Sequence, residues 1–355
     1  PSCRPCRRSS PFPPLQYPTV RRRRGKASVP GAVPIWSTLM VDYDEFSMFA
    51  DNAAEAGLAW EGPPAVERRF LEGADGASIS ALAWGDTPPQ LVLLHGGAQN
   101  AHTWDTMALA LGRPLLAVDL PGHGHSDWRP GRDYAPPVLA AEVARAVEAW
   151  APNAQAVVGM SLGGLTATCL AAARPDLVSR LGIVDVTPGT DHAKAEPIIN
   201  FVDGPEFFED FDEILARTVE HNPTRSESSL RRGVLHNARE LPDGRWSWRY
   251  DVGRAWKDRP ASGDLAETAG EQPTVAPDFG ALWEAVSAVT CPVHLWLGGA
   301  WSVVGDEDVE EFRRRQPDVA VTTVDGAGHS IQGDRPVELA TLVEDLLAVK
   351  ADEGN

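Results

Sequence analysis

Cysteine is scarce in this 355-residue chain. Cys3, Cys6, Cys169 and Cys291 are too few and too scattered to staple a fold, so stability must come from a buried core. A reducing, cytoplasmic setting is the expectation that follows. Cys3-Arg4-Pro5-Cys6 has no second CxxC partner, which leaves structural zinc without its ligands. No run approaches the roughly 18 consecutive apolar residues of a membrane helix, so no membrane partner is expected. An excess of positive charge is missing too. The formal charge of −18 speaks against nucleic acid as a partner, since like charges repel. There are no internal repeats.

What positive charge there is gathers at one end. Residues 1–39 carry Arg4, Arg7, Arg8, Arg21, Arg22, Arg23, Arg24 and Lys26, no acidic residue and eight prolines. Such a stretch cannot bury enough apolar surface to fold. The prolines also spoil the amphipathic helix of a targeting peptide. A disordered basic extension is expected, with the natural protein starting near Met40.

Beyond it the pattern is regular. An acidic, helix-compatible lead-in covers Tyr43 to Leu58. Val66–Leu71 and Ser78–Trp84 read as paired strands across a Gly-Asp-rich turn. Leu91–Leu94, leading into His95-Gly96-Gly97, is apolar throughout, as a strand buried on both faces reads. Helices are expected at Trp104–Leu111, Val138–Trp150 and Leu162–Ala173, and strands at Leu115–Asp119, Ala156–Met160 and Leu181–Asp185. Strands alternating with helices predict an α/β fold with a doubly wound, mostly parallel sheet. The rhythm breaks over 188–289, which turns polar and reads as a largely helical insertion, a lid over the carboxyl edge of the sheet. It resumes with strands at Pro292–Leu297 and Val319–Val324 and a last helix at Pro336–Val349. The expected core is therefore 40–187 with 290–350.

The chemistry centres on Gly159-Met160-Ser161-Leu162-Gly163. A serine on a tight strand-to-helix turn needs room two residues away on either side, and Gly159 and Gly163 supply it. Serine hydroxyl is a weak nucleophile, so a base must take its proton and a third group must orient that base. His329, in Gly326-Ala327-Gly328-His329 beyond the last strand, is the candidate base. Two carboxylates could orient it. Asp306 opens an acidic helical turn with Glu307 and Asp308, which the helix dipole explains. Asp185 stands alone at the end of an apolar strand, where an unpaired charge is costly, and is preferred. Backbone N–H groups of Leu162 and Gly97 are the candidate oxyanion donors, whereas His95 reads as a structural residue. His123 and His125 make a His-x-His pair with no third ligand in view.

These residues together resemble the α/β-hydrolase superfamily over about Val66 to Val349. The likeness rests on His95-Gly96-Gly97 with Trp104 downstream, on Asp119-Leu120-Pro121-Gly122-His123-Gly124-His125-Ser126, and on the Ser161 turn. Val184-Asp185-Val186-Thr187-Pro188 and the His329 loop complete it. The resemblance implies a Ser-His-acid hydrolase with a helical cap, using neither metal nor cofactor, acting on a small-molecule ester or lactone of apolar character. The chain departs from the commonest pattern at Gly298-Gly299-Ala300-Trp301-Ser302, where many members carry the acid. Some esterases and lactone hydrolases instead place it at the position of Asp185. Trp104, Trp246 and Trp248 are candidate substrate contacts, although Phe201, Phe207, Phe208, Trp246, Trp248 and Tyr250 could equally hold the lid together. Carbon–carbon bond hydrolysis of a diketone-type substrate, or ligand sensing on the same fold, are the alternatives.

Overall fold

The computed structural model describes residues 43–73, 76–129, 131–189, 192–222, 225–251 and 279–349. The expectations about residues 1–39 and a start at Met40 lie outside that set. In chain order, helix α1 (Phe49–Glu55) precedes strands β1 (Val66–Glu72), β2 (Ser78–Trp84) and β3 (Leu91–Leu94). A 3-10 turn at Ala101–Trp104 runs into α2 (Asp105–Leu111), followed by β4 (Leu115–Asp119), α3 (Pro136–Trp150), β5 (Ala156–Met160), α4 (Leu162–Ala173) and β6 (Leu181–Val184).

An insertion follows, with α5 (His192–Val202), β7 (Phe207–Phe208), α6 (Phe211–His221), α7 (Glu227–Asn237), β8 (Ala238–Glu240) and β9 (Trp246–Trp248). The chain returns through α8 (Phe279–Ala288), β10 (Val293–Gly298), α9 (Asp306–Arg315), β11 (Ala320–Val324), α10 (Ile331–Asp334) and α11 (Pro336–Ala348).

Among the described residues the main sheet runs β1-β2-β4-β3-β5-β6-β10-β11. Only the β1–β2 and β2–β4 pairings are antiparallel; the others are parallel. Alternation along each strand sends side chains to two opposite layers. Val92, Leu94, Leu116 and Val118 enter one layer with α3, α4 and α8. Leu91, Leu93, Leu115 and Ala117 enter the other with α1, α2 and α11. On α3, Leu139, Val143 and Val147 recur every four residues and are wholly buried, each worth about 1.5–3 kcal/mol of burial. The doubly wound α/β sheet is thus present.

The insertion differs from its expected form. It holds a three-stranded antiparallel sheet in the order β7-β9-β8 beside its helices. Helix α7 ends at Asn237, because the next residues, Ala238–Glu240, pair with Trp246-Ser247-Trp248. A turn closed by Leu241 N–H to the Arg245 carbonyl joins them, with Gly244 at φ +87°. α8 belongs to the core, since Leu282 and Val286 pack in the layer that also holds α4; the helical excursion therefore ends earlier than 289.

Candidate active site

The parallel strands β3, β5, β6 and β10 end on one edge of the sheet, and the loops that leave them build the site. Ser161 follows β5 with φ +51° and ψ −119°, a strained backbone for a residue with a side chain. The turn is as tight as its glycines suggest. A methyl group on Gly159 would overlap the Gly163 carbonyl, and one on Gly163 would overlap the Leu94 and His95 carbonyls. Ser161 N–H donates to the Val184 carbonyl at 3.1 Å. Pairing of the two strands ends at Met160 and Val184, so Ser161 and Asp185 leave the sheet side by side.

Asp185 is fully buried at φ +50° and is surrounded by donors. Oδ1 accepts from Gly298 N–H at 2.8 Å and from Ser302 Oγ at 2.5 Å. Oδ2 accepts from Val303 N–H at 3.2 Å and from His329 Nδ1 at 2.8 Å. A carboxylate only accepts, so His329 carries its hydrogen on Nδ1 and, when neutral, leaves Nε2 with a lone pair. The exposed indole of Trp301 stands edge-on to the His329 ring at 6.0 Å. Asp306 lies elsewhere, exposed in the first turn of α9. Sequence reasoning did not single out Ser302 as a donor, although it lies in the one loop that departs from the family pattern.

The loop after β3 runs beside Ser161. A Cβ on Gly96 would lie 3.3 Å from the Ser161 Cβ, and one on Gly97 about 4.0 Å from Leu162 Cδ2. Leu162 opens α4, so its N–H has no acceptor within the helix. Gly96 N–H is held by Gln99 Oε1 at 3.2 Å, and Gln99 reaches the His329 loop through Ser330 Oγ at 3.3 Å. His95 is buried as a pin. Its Nε2 accepts from Leu120 N–H at 2.9 Å, and burial next to His123 pushes its pKa down to about 3, which keeps the ring neutral.

The tryptophans sit in packing positions. Trp104 is wholly enclosed in the core layer that holds Phe49 and Met107, which gives no support to a substrate contact. Trp246 packs against Phe211 at 5.0 Å, and Trp248 against Phe201, Phe208 and Tyr250 at 5.5 to 5.7 Å. Both are buried in the aromatic centre of the insertion, while Phe207 is exposed beneath Arg245.

The insertion is tied to the core by a buried polar network. Asn237 donates to the Ala98 carbonyl at 2.7 Å and accepts from Asn100 at 3.0 Å. His236 stacks on His102 at 3.7 Å. Arg68 bridges Glu45 and the fully buried Asp119 at 2.8 and 2.6 Å. Burial works against charge on His102, but Asp105 and Glu45 outweigh it and push its pKa up to about 9. Burial and that neighbouring cation hold His236 well below its ordinary value. Burial likewise opposes charge on Glu45, yet hydrogen bonds from His102 and Arg68 bring it down to about 2. Within the described residues, His102, Asp105 and His236 also form a group with metal-ligand spacing. No described helix is long and apolar enough to cross a membrane.

Known proteins resemble this chain in sequence and fold. Residues 89–336 match the sequence profile of the alpha/beta hydrolase fold family. Esterase Rv0045c of Mycobacterium tuberculosis is 42% identical over 312 residues, covering 86% of this chain and 96% of that protein. A solved structure of it superposes with a TM-score of 0.73 over 86% of this chain and 99% of that one. The mouse sn-1-specific diacylglycerol lipase ABHD11 is 28% identical over 284 residues, or 76% of this chain and 85% of the lipase. With the sheet order, the Ser161 turn and these likenesses in agreement, the chain belongs to the α/β-hydrolase family.

Proposed function

We propose that this protein is a serine esterase that hydrolyses esters or lactones of small to medium apolar substrates through an acyl-Ser161 intermediate. The observation that carries the reading is the buried Asp185–His329 hydrogen bond, with Asp185 leaving the sheet edge beside the strained Ser161. In this reading His329 Nε2 takes the Ser161 proton as Oγ attacks the ester carbonyl carbon. The oxyanion that forms is met by the N–H groups of Gly97 and Leu162, each worth roughly 3 kcal/mol of barrier. His329 returns the proton to the departing alkoxide, and water then cleaves the acyl-enzyme by the same steps in reverse. Asp185 holds the imidazole in the tautomer this requires. The insertion acts as a cap, because β8, β9 and α7 lie over the loops after β3 and β4. The names of the relatives, an esterase and a lipase, support the reaction class.

The test is hydrolysis of p-nitrophenyl acetate and butyrate by wild type and Ser161→Ala, with mass spectrometry of a fluorophosphonate-treated sample. A kcat loss of about 10⁴-fold or more and a single adduct on Ser161 are expected. Equal rates, or an adduct on another residue, would sink the assignment.

A further inference from the structure

We propose that His102, Asp105 and His236 form a binding site for a divalent transition-metal ion that clasps the insertion to the core. His102 lies in the 3-10 turn and Asp105 opens α2 three residues on, so both side chains share one face. His236, near the end of α7, meets them from the insertion. His102 Nδ1 is 2.9 Å from Asp105 Oδ2, and His236 Nε2 is 3.7 Å from the same oxygen. All three ligand atoms lie within 4.8 Å of one another. Bonds of about 2.0–2.1 Å in a zinc tetrahedron set donors roughly 3.3 Å apart, so the donor atoms already stand near coordination spacing and the stacked rings have to tilt apart to aim their lone pairs at one ion.

Two independent features point to a ligand. Asp105 Oδ1 and His236 Nε2 are buried with no hydrogen-bond partner, and such orphans need an explanation. Each imidazole also has its other nitrogen taken by an outer partner. His102 Nε2 faces Glu45 Oε2 at 3.3 Å, and His236 Nδ1 bonds the Tyr43 hydroxyl at 3.0 Å. Outer bonds of this kind orient metal-binding histidines.

Arg68 approaches His102 at Nε2, at 3.3 Å, which is the ring edge away from the ligand atoms. Entry of the ion releases the proton shared by His102 Nδ1 and Asp105, and the stacked rings splay to face it. Two imidazoles and a carboxylate suit zinc, cobalt or nickel, with a fourth position open to water. Neighbouring Asn237 holds the carbonyl of Ala98, next to the candidate oxyanion donor Gly97. The ion would thus fix α7 against the loop that borders Ser161.

The experiment titrates full-length protein, stripped with EDTA, with Zn²⁺ by calorimetry and with Co²⁺ by visible absorption. His236→Gln and Asp105→Asn are compared with His294→Gln, a histidine on β10. One ion per chain and a Tm raised by several degrees at saturation are expected in wild type and His294→Gln. Affinity should fall at least about tenfold, and the cobalt ligand-field bands should vanish, in the other two. Cu²⁺ spin resonance on wild type needs no variant and should count two coordinated nitrogens. Absence of binding, binding unchanged in His236→Gln and Asp105→Asn, or no nitrogen coordination would overturn the proposal.

Discussion

Among the described residues, two buried aspartate–histidine pairs have nearly the same length. Asp185 holds His329 at 2.8 Å and Asp105 holds His102 at 2.9 Å, each through the histidine Nδ1. Their surroundings differ. Asp185 accepts from two backbone N–H groups and a hydroxyl besides the imidazole, so each of its oxygens is doubly engaged. Its left-handed backbone follows a central strand beside the elbow serine. Asp105 uses one oxygen and leaves the other without a donor, on a helix whose neighbours are a second histidine and Arg68. On the roles proposed above, an Asp–His pair is not a catalytic element in itself. A saturated carboxylate next to a nucleophile suits proton transfer, because it can neither swing away nor take up the proton. A half-satisfied one between two imidazoles suits a ligand.

That contrast can be tested most severely at the acids. Asp185→Asn keeps the shape and tolerates the positive φ, but it cannot hold the same tautomer, so kcat on p-nitrophenyl butyrate should fall about 10⁴-fold. The same change at Asp105 should leave kcat within about tenfold; a comparable collapse there would erase the distinction.

In thermal melts, Asp105→Asn should instead cost about 3 kcal/mol, or roughly 5 °C, because it strips the buried His102 cation of its nearest partner. An unchanged Tm would mean that the network carries little stability. A smaller effect is expected at Ser302→Ala, which removes one charge-assisted hydrogen bond to Asp185 and should lower kcat about tenfold with KM little altered. The smallest belongs to Asp306→Asn, exposed at the start of α9, where kcat should stay within about twofold. A large loss there would move the acid to that loop.

Legibility in the sequence followed the range of the interactions. Local steric demands marked the Ser161 turn, since only glycine leaves room at Gly159 and Gly163, and wholly apolar four- to five-residue runs marked the central strands. The cost of burying a lone charge favoured Asp185 over Asp306. The insertion was read worst. Its strands are two or three residues long, too short for any period to register, so Trp246-Ser247-Trp248 and Ala238–Glu240 passed as part of a helical stretch. The family resemblance places Trp104 at the substrate, yet its side chain is wholly buried in the core layer that holds Phe49 and Met107. The pairing of Ser302 with Asp185 depends on two loops from different strands, and no local pattern announces it.

By itself, then, the sequence determined the layered α/β architecture, the elbow and the family, because periodicity, glycine sterics and charge burial act over a few neighbouring residues. Tertiary structure alone decided how Asp185 is bonded to His329 and Ser302, where α8 packs, and that His102, Asp105 and His236 stand together. Those depend on distances between residues far apart in the chain, which are set only when the sheet edge and the insertion close on each other.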